Sequence, residues 1–364
     1  MISADRKASD QMNNRMIIQK KMNEEAVSSS ADKKSRWKRW GIIITILLLF
    51  IIGSFAMTKI IYDGIFKRYD VETEVPDALR QLVDLRESVT FYSGDNELKG
   101  YLYSAAVIPN NKQDKGTISI TDGSNDDLSY PMISGTPLVV IVPGFHAESD
   151  DYLWQVQSLL DYEYDVFIFD ATGSGESGGK SYIGFSQELF DLDAALSYIE
   201  ATYNYENIFL LGHSRGGYAA CGMLDSEHEI TAVVSVSGIN SAMEAVIGSA
   251  ENYVGPLAYG NYPLLWLYQV SLFDEDTVSL QADDCISNSE VPTLVVQGNE
   301  DDTAPMDAGS IYSHKDEITS DHVEYYVCDV PGQNGHTDLL FDSDGTANDV
   351  LMETIDTFFN DQMQ

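Results

Sequence analysis

Residues Ile208 to Ala220 read IFLLGHSRGGYAA: an apolar run, then Gly212-His213-Ser214-Arg215-Gly216, then small residues suited to a helix. A strand that enters a helix through G-x-S-x-G must bend so tightly that a Cβ two residues before or after the serine would collide with the chain. Such a bend holds the serine at strained φ/ψ and exposes its hydroxyl where a base can activate it. The pattern demands a strand–turn–helix unit, and the rest of the chain repeats that alternation.

Leu138–Val142, Val166–Phe169, Ile208–Leu211, Ala232–Val236, Thr293–Val296 and Val323–Val327 are short, nearly continuous apolar runs. Strands buried on both faces read this way. Helical spacing lies between and after them, in Leu189, Leu192, Leu196 and Ile199, and again in Leu351, Ile355 and Phe358. Strands alternating with helices predict an α/β fold, a mostly parallel, doubly wound sheet with right-handed crossovers. Ahead of them, 89–92 and 98–103 flank Ser93-Gly94-Asp95-Asn96 and predict an antiparallel hairpin. Two intervals are too long for simple connections. Pro109 to Thr136 is rich in Asn, Asp, Gly and Ser and reads as a surface insertion, with a short strand at Thr117 to Ile120. Residues 240–290 exceed any crossover and predict a helical lid over the strands' carboxyl ends. The lid's aromatic and leucine side chains either line an acyl pocket or seat it on the domain.

The 364 residues carry 58 acidic and 21 basic side chains, a net charge of −37. Ten of the basic residues precede Trp40, against five acidic ones, so the remainder holds 11 basic and 53 acidic residues. So acidic a surface repels polyanions and excludes a nucleic-acid partner. Gly41 to Met57 is an uncharged apolar run preceded by Lys33, Lys34, Arg36, Lys38 and Arg39. With its flanks it predicts a transmembrane helix over 41–61, a cytoplasmic disordered arm over 1–40, a stalk over 62–86 and an extracellular domain over 87–364. Ser54-Phe55-Ala56 fits a signal-peptidase site, but an arm of this length favours a single-pass anchor. Three cysteines, Cys221, Cys285 and Cys328, allow no disulfide scaffold. No zinc spacing occurs, and Asp342-Ser343-Asp344-Gly345 lacks the flanking carboxylates of a calcium loop, so neither a metal nor a cofactor is expected.

Reactive groups of doubly wound sheets gather in the loops after the strands. After 138–142, Pro143-Gly144-Phe145-His146 offers the Phe145 N–H, beside the Arg215 N–H, to a developing oxyanion. After 293–297, Gly298-Asn299-Glu300-Asp301-Asp302 offers a carboxylate to orient an imidazole; Asp301 is preferred and Asp302 competes. After 323–330 comes the glycine-flanked His336. Ser214, Asp301 and His336 in that chain order form a nucleophile, acid and base set for acyl transfer. Arg215 is expected either to brace the turn by pairing with a carboxylate such as Asp170 or to reach a substrate carboxylate, and His146 to stand on a pocket wall or in solvent.

From about Val89 to Phe359 the chain resembles an α/β-hydrolase, in the bacterial membrane-anchored branch grouped with serine aminopeptidase-like and monoacylglycerol-lipase-like enzymes. Asp170-Ala171-Thr172-Gly173-Ser174-Gly175-Glu176-Ser177 resembles that group's turn after the fourth strand. The resemblance implies Ser214, Asp301 and His336 as triad and Phe145 and Arg215 as oxyanion-hole positions. The 109–136 insertion, and Asp302 where many relatives have proline, depart from it. The activity expected is a serine hydrolase cleaving carboxylic esters or small amides without a cofactor. The alternatives are aminopeptidase-like activity and a non-catalytic surface binding module.

Overall fold

The computed structural model describes residues 2–69, 73–107 and 135–363. The chain divides into two compact units, residues 1–60 and 61–364. Helix α1 (Ile2–Ile65) supplies the first and enters the second. Within it, Arg36–Ile65 is long and apolar enough to cross a membrane, and Gly41 to Phe50 are all exposed. The 1–40 arm, expected to be disordered, is helical from Ile2 onward. The described side chains of residues 2–40 are exposed, and the arm has neither proline nor glycine and is rich in Ala, Met, Lys and Arg. Propensity, not periodicity, carries that helix.

The expected stalk over 62–86 is part of the folded domain. Ile61, Tyr62, Ile65 and Phe66 are buried in its core, and Leu79 and Leu82 cover the sheet's other face beside α2 (Arg80–Asp84). Lys67 bridges to Ser181, and Arg68 donates to the carbonyls of Gly175, Ser177 and Gly179 at 2.7, 2.8 and 3.1 Å. Ile61, expected at the end of the span, and Tyr62, Ile65 and Phe66, expected in the stalk, instead dock the chain where it enters the domain.

β1 (Glu87–Ser93) and β2 (Asn96–Tyr103) form the expected hairpin. β3 (Leu138–Val142), α3 (Leu153–Asp161), β4 (Asp165–Asp170), α4 (Gln187–Thr202), β5 (Ile208–His213), α5 (Arg215–Gly222) and β6 (Ala232–Val236) follow. Five helices come next: α6 (Ala242–Val254), α7 (Leu257–Gly260), α8 (Tyr262–Leu272), α9 (Glu275–Ser279) and α10 (Ala282–Asn288). β7 (Thr293–Gly298), β8 (Val323–Cys328) and α11 (Asp349–Asp361) complete the domain. The eight strands run in the order β1-β2-β4-β3-β5-β6-β7-β8, antiparallel at β1/β2 and β2/β4 and parallel elsewhere. β3 through β7 are buried along their whole length. One core packs α4, α5, α6 and α10 on the sheet, and another packs α3 and α11 on its opposite face. The order reverses between β3 and β5, which are direct neighbours, so the crevice of a doubly wound sheet opens between their carboxyl ends. Of the 109–136 insertion, 109–134, with the strand at 117–120, lie outside the described residues.

Candidate active site

Ser214 stands between β5 and α5 at φ 56°, ψ −115°, a strained backbone such as the sequence predicts for it. The two flanking glycines are obligatory for packing: a Cβ on Gly212 would lie 2.2 Å from the Gly216 carbonyl oxygen, and one on Gly216 2.0 Å from that of Val142. The Ser214 N–H donates to the Val236 carbonyl at 2.9 Å, tying the bend to β6.

Three side chains from three loops meet there. His336 Nε2 lies 2.8 Å from Ser214 Oγ, and His336 Nδ1 lies 2.9 Å from Asp301 Oδ2 and 3.0 Å from Oδ1. A carboxylate cannot donate, so Nδ1 carries the proton and Nε2 accepts from the hydroxyl. Asp301 also accepts from the N–H groups of Thr303 and Ala304, at 2.9 and 2.8 Å, and from Gln297 Nε2 at 3.0 Å. Burial alone would raise this carboxyl. The His336 hydrogen bond and charge, with the Ala304 and Thr303 amides, outweigh burial and hold it below the ordinary carboxylate range. Asp302 is exposed and accepts instead from the Thr303 hydroxyl at 3.3 Å. The loops after β7 and β8 are joined by the Glu300 N–H to Asn334 carbonyl bond at 3.0 Å and the Asn334 to Asn299 side-chain bond at 2.6 Å.

A second polar line crosses behind the first. The Gly144 N–H donates to Tyr152 Oη at 2.8 Å, Tyr152 Oη lies 2.9 Å from His213 Nδ1, and His213 Nε2 lies 3.0 Å from the His336 carbonyl oxygen. One assignment satisfies all four groups: Tyr152 donates to Nδ1, and a neutral His213 donates from Nε2. Burial, helped by the neighbouring His336 charge, pushes His213 down to about 4, which keeps that neutral ring in place. The line ties the loop carrying Phe145 to the loop carrying His336. Sequence reasoning assigned His213 no role and did not find Tyr152.

Arg215 pairs not with Asp170 but with Glu188 of α4, Nη2 to Oε2 at 2.6 Å, both side chains fully buried. Its guanidinium lies 5.6 Å from the ring centroids of Phe145 and Tyr182, so the pair also seats the Phe145 ring. Burial pushes the Glu188 carboxyl up, with the Arg215 charge pulling it partly back. Asp170 holds its own turn, accepting from the N–H groups of Ser149 and Glu176, both at 2.8 Å. Gln297 was also missed, although a polar side chain ending the run Thr293–Val296 signals a buried partner.

These groups open into a cavity of about 230 Å³ lined by Phe145, His146, Tyr152, His213, Ser214, His336 and Phe341, among others. His146 stands on its wall as expected, at φ 65° and stacked on Phe145. Among the described lining residues none comes from 240–290. That segment is helical as expected, but Trp266 and Tyr268 pack on the core and Tyr259 and Tyr262 are exposed. No hydrogen bond among the described residues occupies the Phe145 or Arg215 N–H.

Residues 135–250 match the family model described as Hydrolase_4, Serine aminopeptidase, S33. They span β3 to α6, with Ser214 inside. The chain has the α/β-hydrolase fold, and by class it is a serine hydrolase. Solved structures with this fold include the Pyrococcus furiosus esterase Pf2001, 17% identical over 82% of this chain and 100% of that one at a TM-score of 0.57. The α/β-hydrolase GrgF from Penicillium sp. sh18 and Est1E from Butyrivibrio proteoclasticus, the latter with bound ferulic acid, are each 16% identical. Each covers 76% of this hydrolase and 99% of its own chain, at a TM-score of 0.52. No curated protein matches the chain.

Proposed function

We propose that this hydrolase is anchored by α1 and cleaves carboxylic esters on the outer side of the membrane through Ser214, His336 and Asp301. One observation carries the chemistry: the unbroken line from Asp301 through His336 to Ser214 Oγ, at 2.9 and 2.8 Å, ends at the cavity. His336 Nε2 takes the hydroxyl proton as Oγ attacks the ester carbonyl, and Asp301 stabilises the resulting imidazolium. The Phe145 and Arg215 N–H groups receive the tetrahedral oxyanion. Collapse breaks the C–O bond, His336 returns the proton to the leaving alcohol, and water then releases the acyl group by the same steps.

The cavity's volume and its Phe145, Tyr152, Leu340 and Phe341 walls suit a short acyl or aryl group. The family model's description supports a second reading, amide cleavage after an N-terminal residue. Asp151 is the carboxylate on the cavity wall that would take the ammonium. It already accepts from the Glu148 N–H and the Thr73 hydroxyl, both at 2.9 Å, so esters come first. The five basic residues ahead of Gly41 support an inside N-terminus.

A membrane-impermeant fluorophosphonate applied to intact cells tests chemistry and topology together. Wild type is expected to label and Ser214→Ala to remain blank, with short p-nitrophenyl esters turned over faster than aminoacyl arylamides. Labelling only after lysis overturns the topology. No labelling at all leaves a binding module, and faster arylamide turnover makes the enzyme a peptidase.

A further inference from the structure

We infer that the α6–α8 segment is a second membrane contact, a charge-free strip that rests on the bilayer beside the point where the chain leaves it. From Asn252 to Phe273 there is not one charged side chain, in a protein 22% of whose residues are charged. The strip is nonetheless a surface. Of the thirteen exposed large apolar side chains described within 61–364, six belong to it: Tyr253, Leu257, Tyr259, Tyr262, Leu267 and Leu272. A folded surface that leaves so many apolar groups clustered, on a protein of net charge −37, has a partner of low charge.

The strip's neighbours identify the partner. Tyr253 Oη donates to the Gly64 carbonyl at 3.4 Å, and the Tyr268 ring meets Tyr62 edge-on at 4.9 Å between centroids. Tyr62 and Gly64 lie five and seven residues beyond Met57, the last residue of the uncharged apolar run. At 1.5 Å per helical residue, that separation is on the order of 10 Å. Covalent continuity therefore keeps these helices at the depth of the lipid headgroups, where tyrosine, tryptophan and leucine partition and acidic side chains do not. Four tyrosines, Trp266 and five leucines between 253 and 272, with charge resuming at Asp274, match that composition. The occupant is thus the lipid interface rather than a soluble protein or a second copy. Contact there directs the 252–273 segment, and not the acidic remainder, at the lipid. This inference rests on the reading of α1 as a membrane span.

The test uses the full chain reconstituted in phosphatidylcholine vesicles. Single cysteines at Leu257→Cys, Leu267→Cys, Val350→Cys and Leu48→Cys each carry an environment-sensitive fluorophore; the native Cys221, Cys285 and Cys328 are buried and do not compete. Lipids spin-labelled near the acyl carbonyl should quench the labels at 257 and 267 by about half, as for a group held in the headgroup region. The label at 350, exposed at the start of α11, should be unaffected. Quenching at 48 without quenching at 257 and 267 overturns the docking and leaves the anchor standing, whether water or a second copy covers the strip. Absence of quenching at 48 overturns the span and the docking with it. Equal quenching at 350 overturns docking through a defined face.

Discussion

Acidification should destabilise this hydrolase through His213. The buried ring is held neutral at about 4 against an ordinary value of 6.5. The native state therefore refuses a proton that the unfolded chain binds, and the sign follows: the contribution is complete above pH 6.5 and is lost as pH falls through 6.5 toward 4. The full gap is worth about 3 kcal/mol, and most of it is gone at pH 4.5. Because Tyr152 donates to Nδ1, protonation of that nitrogen also removes the acceptor through which Tyr152 ties the Gly144 loop to His213, while the Nε2–H donation to the His336 carbonyl persists. The measurement is urea unfolding of wild type and His213→Gln in mild detergent at pH 7.5 and 4.5. Other titrating groups are common to both proteins and cancel in the difference. Wild type is expected to lose about 2–3 kcal/mol more than the variant between the two pH values. Losses that agree within about 0.5 kcal/mol would refute the buried neutral ring, since a solvated imidazole has the same proton affinity folded and unfolded.

Two further substitutions test contacts that the fold requires. Glu188→Ala leaves the Arg215 guanidinium buried without its counter-charge, and should cost about 3–5 kcal/mol in thermal or urea unfolding, with Glu188→Gln recovering part of it; no loss in either variant would show that the ion pair contributes nothing. Arg68→Ala removes three donations to the 175–179 turn, and should cost about 2–3 kcal/mol and hasten proteolysis within 61–86. Unchanged stability there would return that segment to the role of a stalk.

Much of the fold was legible because burial on both faces leaves an unambiguous mark. The run Leu138–Val142 and the run Ala232–Val236 are strands with the very bounds read from the sequence, since a residue inside a parallel sheet has no solvent face to vary. The G-x-S-x-G bend was legible for a similar reason: gaps of 2.2 and 2.0 Å at Gly212 and Gly216 admit no other residue. Where no burial demand exists, the pattern is silent. The 1–40 helix follows propensity alone, and the pairs at 61–62 and 65–66 look the same whether they meet lipid or a protein core.

Site contacts were harder to read when the deciding partner is remote. Tyr152 meets His213 across 61 positions, and Arg215 had Asp170 as a plausible mate until the packing of α4 brought Glu188 under it. The choice between Asp301 and Asp302 is different in kind, because its answer is local. Thr303 and Ala304 turn their N–H groups back onto Asp301 at 2.9 and 2.8 Å, the two- and three-residue reach by which an aspartate closes its own turn. Asp302 cannot use those donors without displacing the chain that carries them, so it faces water. Two adjacent carboxylates are thus separated by which one its own backbone solvates, and that one is free of water's competition when the imidazole arrives. An acid in an active-site loop can be recognised by counting the amides downstream that fold back on it, before the histidine is found.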